Sequence, residues 1–600
     1  MTLRVEAPRD PWSPRPIDLP TEVPLHAEAD LAALDGAKIF AAPDDPRDWP
    51  AWHEALARWR GEALARTGHD GAAYDLPEFA WTQRCFAVAL LWLWDETLYD
   101  FDASRFTPGR VLAEGERDFG GYDAVVLWHA YPVIGIDERN QFDFYSDVPG
   151  IRELVASFHE RGVRVFVDYN PWDVGTRREP VDDAHAVAEL VQWLDADGVF
   201  LDTMKEARLE LRTTLDEVRP GVALEGESTL PLASVADHHL SWAQWFADSE
   251  VPGVIRARWF EQRHMLHHTR RWNRDHSGEL HSSWLNGTGM LIWESVFGSW
   301  VGWNARDRSI LRTMLPVQRA HGDLLAHGDW TPLAARSDGL EVVGSHWRDG
   351  DTELWALVNR STNSFSGRVQ GPDAEVEIPP RGIAAVVNEE LVVSGDDDTT
   401  YPARAVVRVP TPVARAERVP EGMVEGPRVP VTAVFRRRET GIYGEVPYVE
   451  EWKPLPPRLH DFVEVPRPAP AGRYAIGIRE VSAAELGLPG DGPATGVDLA
   501  HARAHARARG ARLPTEDEWQ AAAEAGLLEL AEPQVWNWTE SEHRDGRTRF
   551  TILKGGSGFR AEGSDWYVDG GERDPSYSLQ LLLTGIAASP WIGFRLAVDL

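Results

Sequence analysis

The sequence predicts a multidomain α/β protein with a (β/α)8 barrel at 1–335, a small β-sandwich at 336–395 and an α+β unit at 431–600. A chain of 600 residues is too long for one hydrophobic core. Short apolar runs alternate with amphipathic helical patterns in the first half, and short β runs with turn residues follow. The stretch 396–430 is rich in proline and charge and is predicted to be a linker containing one or two strands.

The amino-acid composition disfavours several classes of function and partner. The net charge of −34 disfavours nucleic acid as a partner, because the field of the protein repels phosphate backbones. The N-terminus lacks the apolar region of a signal peptide, and the longest apolar run, 86–94, is far shorter than a membrane span. A cytoplasmic protein with no membrane partner is therefore expected. The single cysteine, Cys85, rules out an intrachain disulfide.

Seven apolar runs in the first half are predicted to be strands of the barrel. Their continuous apolar character is typical of a parallel sheet that is covered on both faces. Seven strands and one poorly marked strand fit a TIM barrel better than an open sheet, and KIFAAPDD at 38–45 is the candidate for the missing strand. The seven runs are 87–95, 124–131, 163–170, 198–203, 221–228, 240–248 and 289–295.

Polar residues stand near the ends of these strands. The C-terminal strand ends of such a barrel form the active-site face, so these residues are expected around one rim. Of 27 tryptophans many lie in the barrel region, where they either fill the core or offer a flat face to a sugar ring. The predicted substrate-binding residues are Trp94, Asp95, His129, Asp168, Trp172, Asp173, Trp242, Asp248, Trp293 and Glu294.

Two neighbouring strands carry the carboxylates that glycoside hydrolysis requires. Such chemistry needs one acid with a raised pKa and one ionised nucleophile or base. Asp202 ends the buried run GVFLDT, and GVALEGES contains Glu225 and Glu227, which face the same side of their strand. Glu227 is nearer the rim and is the preferred acid/base, with Glu225 as the alternative. For Asp202 the alternative is a helix cap or an ion pair with Lys205 or Arg208.

The segments DFYSDVPGIRELVASFHERGVRVFVDYNPWD, GVFLDT and LEGES resemble retaining α-glycosidases of the α-amylase-like kind. An α-galactosidase-like relative fits about as well. The resemblance implies that Asp202 is the nucleophile, Glu227 the acid/base and Asp168 a substrate contact. The chain departs from the family at Phe200, where an arginine is usual, and at 171–173, where a histidine is usual.

The last unit has a more specific resemblance. RLPTEDEW (512–519), QVWNWTES (534–541), KGGSG (554–558) and IGFRLA (592–597) resemble formylglycine-generating enzymes, the sulfatase-modifying factors. That family implies an α+β fold similar to C-type lectins. Its two reactive cysteines correspond here to approximately Arg560 and Asp565, so the unit is expected to be non-catalytic. No cofactor is predicted, and Asn537 replaces the glutamate that is usual beside the family's structural calcium.

RHMLHHTRRW at 263–272 contains His264, His267 and His268. The pattern is interpreted as a solvated helix face, with metal chelation by His264 and His268 as the alternative.

The sequence is compatible with three functions. The preferred hypothesis is a glycoside hydrolase with a carbohydrate substrate. The alternatives are a carbohydrate-binding protein with an inactive barrel and a metal-dependent oxidase or oxygenase of the formylglycine-generating type.

Overall fold

The structure is a computed structural model that describes residues 19–129, 135–171, 176–227, 229–244, 248–270, 275–296, 299–300, 302–402, 407–436, 462–560, 570, 573–586 and 588–600. Eight parallel strands close into a barrel, in which each strand pairs with the next and the last pairs with the first. The barrel part of the predicted fold class is confirmed. Its strands are β1 Ala87–Trp92, β2 Ala124–Trp128, β3 Arg164–Tyr169, β4 Gly198–Leu201, β5 Ala223–Glu227, β6 Leu240–Gln244, β7 Met265–Thr269 and β8 Gly289–Ile292.

All seven predicted runs contain barrel strands, but the candidate for the eighth is wrong. Ile39–Phe40 pairs antiparallel with Val254–Ile255 outside the barrel. The remaining barrel strand is β7, which pairs with β6 and β8. Its histidines are buried, so the interpretation of 263–272 as a solvated helix face is also wrong. A strand that buries hydrogen-bonded imidazoles does not show the apolar pattern by which strands are predicted.

Helices cover the outside of the barrel, as parallel strands require. Asp182 begins α5 by accepting the amide N–H of His185, and Asn304 begins α9 by accepting that of Asp307. The helices of the first half are α1 Trp49–Thr67, α2 Pro108–Phe119, α3 Asp143–Ser146, α4 Ile151–His159, α5 Asp183–Leu194, α6 Leu209–Val218, α7 Arg256–Phe260, α8 Ser277–Asn286, α9 Ala305–Ala320 and α10 Gly322–His327.

A small antiparallel β unit follows the barrel. Five strands form one sheet in the order β9-β10-β11-β14-β15, and the hairpin β12-β13 packs its apolar side chains against it. The first strand begins at Asp329, upstream of the predicted boundary at 336. The strands are β9 Asp329–Arg336, β10 Val342–Asp349, β11 Thr352–Asn359, β12 Phe365–Val369, β13 Ala374–Ile378, β14 Ile383–Val387 and β15 Glu390–Val393.

Within its described residues, the C-terminal unit combines two sheets with two helices, α11 Leu499–Ala508 and α12 Glu516–Glu524. In RLPTEDEW, Thr515 and Glu518 form a capping box that begins α12. Two strands of the predicted linker, β16 and β17, pair with β21 and β20 of this unit. The strands are β16 Val407–Arg408, β17 Met423–Glu425, β18 Val431–Arg436, β19 Phe462–Arg467, β20 Tyr474–Gly477, β21 Trp536–Arg544, β22 Arg549–Lys554, β23 Tyr577–Leu582, β24 Ile592–Phe594 and β25 Ala597–Asp599.

Among the described residues, no helix is long and apolar enough to cross a membrane.

Candidate active site

Asp202 and Glu227 lie at the C-terminal ends of two adjacent barrel strands. Asp202 directly follows β4, and Glu227 is the last residue of β5. The backbone N–H of Thr203 donates to Glu227 Oε2 at 2.8 Å, and the backbone N–H of Glu227 donates to the Met204 carbonyl at 2.7 Å. Two hydrogen bonds therefore tie the end of β5 to the turn that carries Asp202. The structure brings together the two residues that the sequence predicts to be catalytic.

Asn170 contributes an amide to the same site. It directly follows β3, and its Nδ2 lies 3.4 Å from Asp202 Oδ2. The Gln141 side chain fixes the backbone of Asn170 from both sides, because Oε1 accepts its N–H at 3.0 Å and Nε2 donates to its carbonyl at 2.6 Å. Gln141 and Asn170 are both buried. The position of the Asn170 side chain is thus set by the loop that follows β2.

Asp168 lies deeper, on β3 itself, beside His129. His129 Nδ1 lies 3.6 Å from Asp168 Oδ2, and neither side chain is exposed to solvent. Burial lowers the pKa of His129 to about 3, so its imidazole is neutral at physiological pH. The Tyr145 hydroxyl accepts the backbone N–H of Asp168 at 2.8 Å and donates to the Leu127 carbonyl. This arrangement fixes two predicted substrate contacts at the ends of β2 and β3.

Glu225 occupies a different environment from Glu227, although both belong to β5. Its Oε1 lies 2.5 Å from His267 Nδ1 inside the barrel, and both side chains are fully buried. His267 Nε2 in turn donates to the Cys85 carbonyl at 2.6 Å. Burial acts to lower the pKa of His267, but the charge and hydrogen bond of Glu225 raise it. Of the two glutamates of β5, Glu227 is the one hydrogen-bonded beside Asp202, and Glu225 is enclosed inside the barrel.

The three described tryptophans among the predicted contacts belong to the core. Trp242 stacks on Phe200 with ring centroids 4.7 Å apart, and Trp94 packs against Tyr99 at 5.0 Å. The Trp293 indole donates to a backbone carbonyl. Their exposed fractions are 0–5%, so each packs as a core side chain in this structure. Large apolar side chains gain more from complete burial inside a barrel than from a half-open cleft.

Three predicted acidic contacts are also occupied by protein groups. Asp95 accepts hydrogen bonds from Thr97 and Ser295, and Glu294 lies 3.1 Å from the Arg308 guanidinium. Asp248 accepts the backbone N–H groups of Ser249 and Gly253, and burial raises its pKa. The described contacts of these three carboxylates are with protein groups, and their substrate-binding roles stay predictions.

Trp172, Asp173 and Asp565 lie outside the described residues.

The C-terminal unit uses its motif residues for packing. Arg560 Nη1 donates to the Ser557 and Phe559 carbonyls at 3.0 and 2.7 Å. Asn537 Oδ1 accepts hydrogen bonds from Trp519 Nε1 at 3.1 Å and from the Arg595 guanidinium at 2.8 Å. A guanidinium cation at that distance does not fit a calcium ligand. Cys85 lies below β1 in the barrel, and burial raises the pKa of its thiol well above the usual value.

Four residues of the site were absent from the sequence prediction: Gln141, Tyr145, Asn170 and Thr203. Only Asn170 carried a usable signal, because it stands two residues after Asp168 at the end of an apolar run. Gln141 precedes the short helix α3 and Tyr145 lies in it, and no strand pattern indicates where this segment lies.

Comparison with known proteins gives one family match and several structural ones. Residues 482–533 match the sulfatase-modifying factor enzyme 1-like domain, FGE-sulfatase. This match confirms the resemblance of the C-terminal unit. No curated protein sequence matches the chain.

Three solved structures align with about half of the chain. A debranching enzyme of Nostoc punctiforme, soaked with acarbose, is 10% identical and covers 52% of this chain and 99% of its own, with a TM-score of 0.33. A noncanonic maltogenic α-amylase of Thermotoga neapolitana is 12% identical and covers 52% and 98%, with a TM-score of 0.36. A cyclic α-maltosyl-(1→6)-maltose hydrolase of Arthrobacter globiformis is 13% identical and covers 51% and 99%, with a TM-score of 0.31. Similarity at this level carries no argument about activity.

Proposed function

We propose that the barrel hydrolyses O-glycosidic bonds with retention of configuration, using Asp202 as the nucleophile and Glu227 as the acid/base. One observation carries the proposal. Glu227 at the end of β5 accepts the amide N–H of the residue after Asp202, which supports a pair of carboxyl groups at neighbouring strand ends on the C-terminal face of a closed barrel. The choice of α-glycosides of oligosaccharides as substrates rests on the resemblance of the β3–β5 segments to α-amylase-like enzymes.

In the first step, Asp202 attacks the anomeric carbon while Glu227 gives a proton to the departing glycosidic oxygen. The Thr203 N–H engages Oε2 of Glu227, which leaves Oε1 as the oxygen to carry that proton. In the second step, Glu227 takes a proton from water, and the water oxygen replaces Asp202 at the anomeric carbon. The Asn170 amide, 3.4 Å from Asp202 Oδ2, orients the nucleophile.

The Asp168 carboxylate would accept hydrogen bonds from substrate hydroxyls beside the reacting carbon. The neutral His129 imidazole would accept or donate such bonds. A carboxylate and a neutral imidazole 3.6 Å apart offer both acceptors and a donor to a sugar ring. This assignment fits a polyhydroxylated neutral ligand, to which the strong negative charge of the protein is indifferent.

The oxidase alternative has less support. The chemistry of formylglycine-generating enzymes needs two thiols close together, and the chain contains one cysteine, which lies in the barrel.

A panel of aryl α-glycosides tests the proposal with the wild type, Asp202→Asn and Glu227→Gln. Both variants are expected to lose turnover, while Glu210→Gln on the outer helix α6 serves as the control and keeps it. Turnover that survives in both site variants would refute the assignment. Sugar binding to the wild type without turnover of any glycoside would instead support the inactive-barrel alternative.

A further inference from the structure

The C-terminal unit inserts an arginine into the rim of the barrel. Arg547 lies in the turn between β21 and β22, and its guanidinium is 3.1 Å from Glu114, 3.6 Å from Glu294 and 3.8 Å from Asp95. It also donates to Thr97 Oγ1 at 3.1 Å. The side chain is only 10% exposed. One cation from the C-terminal unit therefore serves three barrel carboxylates.

The backbone of the same turn joins the loop after β1. The Glu96 N–H donates to the Arg547 carbonyl at 2.9 Å, and the Gly546 N–H donates to Glu96 Oε2 at 3.0 Å. Arg544 adds an ion pair to Glu96 at 2.9 Å. Without this turn, the carboxylates of Asp95, Glu114 and Glu294 would lose their shared cation in a largely buried region, which is unfavourable.

A second contact reaches the loop after β2. Arg139 Nη1 donates to the Ile586 carbonyl at 3.1 Å, and Nη2 donates to the Ala588 carbonyl at 3.0 Å. Asp137 holds the same guanidinium from the barrel side at 2.6 Å. Gly585 lies so close to Trp94 that a Cβ atom there would approach the indole to 2.6 Å. The C-terminal unit thus touches the loops after both β1 and β2.

The Arg139 loop is the one that orients the proposed nucleophile. Gln141, two residues after Arg139, holds the Asn170 backbone through two hydrogen bonds, and the Asn170 amide faces Asp202. Tyr145, in the helix α3 that follows this loop, accepts the N–H of Asp168. The carbonyls of the C-terminal unit are therefore linked to Asp202 by the hydrogen bonds of Arg139, by the backbone between Arg139 and Gln141, and by the hydrogen bonds of Gln141 and Asn170.

We propose that the C-terminal unit acts as a built-in positioning element for the barrel: the carbonyls of Ile586 and Ala588 hold, through Arg139, the loop that orients Asp202, and Arg547 docks the unit to the loop after β1. Arg139 and Arg547 are positioning residues that act through other groups. The unit that resembles an oxidase thereby completes a hydrolase site without contributing chemistry of its own. The catalytic consequence of this inference rests on the proposed function. Its structural part, the anchoring of the loop, does not depend on that function.

The test compares Arg139→Gln, Arg139→Lys and Arg547→Met in the full chain. Arg509→Met is the control, since Arg509 pairs with Glu485 within the C-terminal unit and has no described barrel contact. A displaced nucleophile is expected to lower kcat by about 10- to 100-fold with KM within about threefold. Arg139→Lys is expected to recover part of kcat, because it keeps the charge and one donor. Unchanged kcat in Arg139→Gln and Arg547→Met would overturn the catalytic part.

Hydrogen exchange measured by mass spectrometry tests the structural part without any substrate. In Arg139→Gln, the amides of 137–145 and 164–171 are expected to exchange about tenfold faster, because the anchored loop opens more often. The control variant should leave these segments unchanged. If exchange is also unchanged in Arg139→Gln, the inference fails even when the wild type is an active hydrolase. If exchange rises but no glycoside is turned over by the wild type, the proposed function fails and the positioning contact stands.

Discussion

The two halves of the barrel rim use acidic residues for different purposes. At β1 and β8, Asp95 and Glu294 lie beside the cations Arg547 and Arg308. At β4 and β5, the hydrogen bonds described for Asp202 and Glu227 come from neutral donors, the Asn170 amide and the Thr203 backbone. Both halves begin from the same sequence signal, an acid at the end of an apolar strand.

This difference indicates what determines whether a carboxylate at the rim has a docking role or a proposed catalytic one. A neighbouring guanidinium neutralises the charge and binds two units of the chain together. A neutral donor orients a carboxylate but leaves its charge for chemistry. The described partners therefore differ between the two halves: guanidinium groups at Asp95 and Glu294, and neutral donors at Asp202 and Glu227.

The largest expected effect is the difference in activity between the Asp202 variant and the Asp95 variant. Asp202→Asn removes the proposed nucleophile and is expected to lower kcat/KM for an aryl α-glycoside by about 10³-fold or more. Asp95→Asn keeps its hydrogen bonds to Thr97 and Ser295 and should stay within about tenfold of the wild type. Steady-state kinetics on both variants check this. Equal losses would erase the distinction between the two halves.

A second comparison concerns the two glutamates of β5. Glu225→Gln breaks the fully buried pair with His267 and is expected to lower the free energy of unfolding by about 3–5 kcal/mol. Glu227→Gln keeps an acceptor for the Thr203 N–H and should change the free energy of unfolding by less than about 1 kcal/mol. Urea unfolding at pH 7 measures both values. A stability loss in Glu227→Gln as large as in Glu225→Gln would contradict the separate roles.

Buried histidines predict how stability depends on pH. Burial lowers the pKa of His129 and His264 to about 3 and that of His239 to about 4, below the ordinary value of 6.5. The unfolded chain takes up these protons first as the pH falls, so stability is lost below pH 6.5 and down to about pH 3. His264, on the opposite end of the barrel from the rim, permits a test that leaves the site intact.

His264→Gln is expected to reduce the slope of unfolding free energy against pH by about 1.4 kcal/mol per pH unit between pH 4.5 and 6. His185→Gln is the control, because that histidine is exposed and its pKa is raised by Asp182. Denaturant unfolding at several pH values measures the slope. A slope that His264→Gln leaves unchanged would show that this imidazole does not remain neutral in the folded protein.

The smallest effect is expected at Asp248. Asn retains an acceptor for the Ser249 and Gly253 amides, so Asp248→Asn should change kcat/KM by less than about twofold. A loss of about tenfold or more in kcat/KM would indicate that Asp248 contacts substrate and that the catalytic half of the rim reaches β6.

The sequence was informative where a signal is local and less so where it depends on distant partners. Apolar runs marked seven strands, and the acids after β4 and β5 marked the proposed catalytic pair. Strand β7 was missed because His264 bonds to Tyr74 and Ser241, and His267 to Glu225, which makes polar residues tolerable inside a barrel. The two interpretations of the tryptophans stayed open in the sequence because composition does not distinguish a core indole from one in a cleft.

The contact between the C-terminal unit and the rim was beyond prediction for the same reason. Arg547 lies about 450 residues from Thr97 in sequence, and no local pattern pairs it with Asp95 or Glu294. Gln141 and Asn170 meet through a loop whose conformation depends on Arg139 and its partners in the C-terminal unit.

The most direct test of the central claim is covalent trapping of the proposed nucleophile. The full chain is incubated with a 2-deoxy-2-fluoro glycosyl substrate bearing an activated leaving group, digested and examined by mass spectrometry. The account predicts one glycosyl group attached to the peptide that contains Asp202, and none in Asp202→Asn. A glycosyl group on the peptide of Glu227, or rapid turnover to a product of inverted configuration with no adduct, would contradict it.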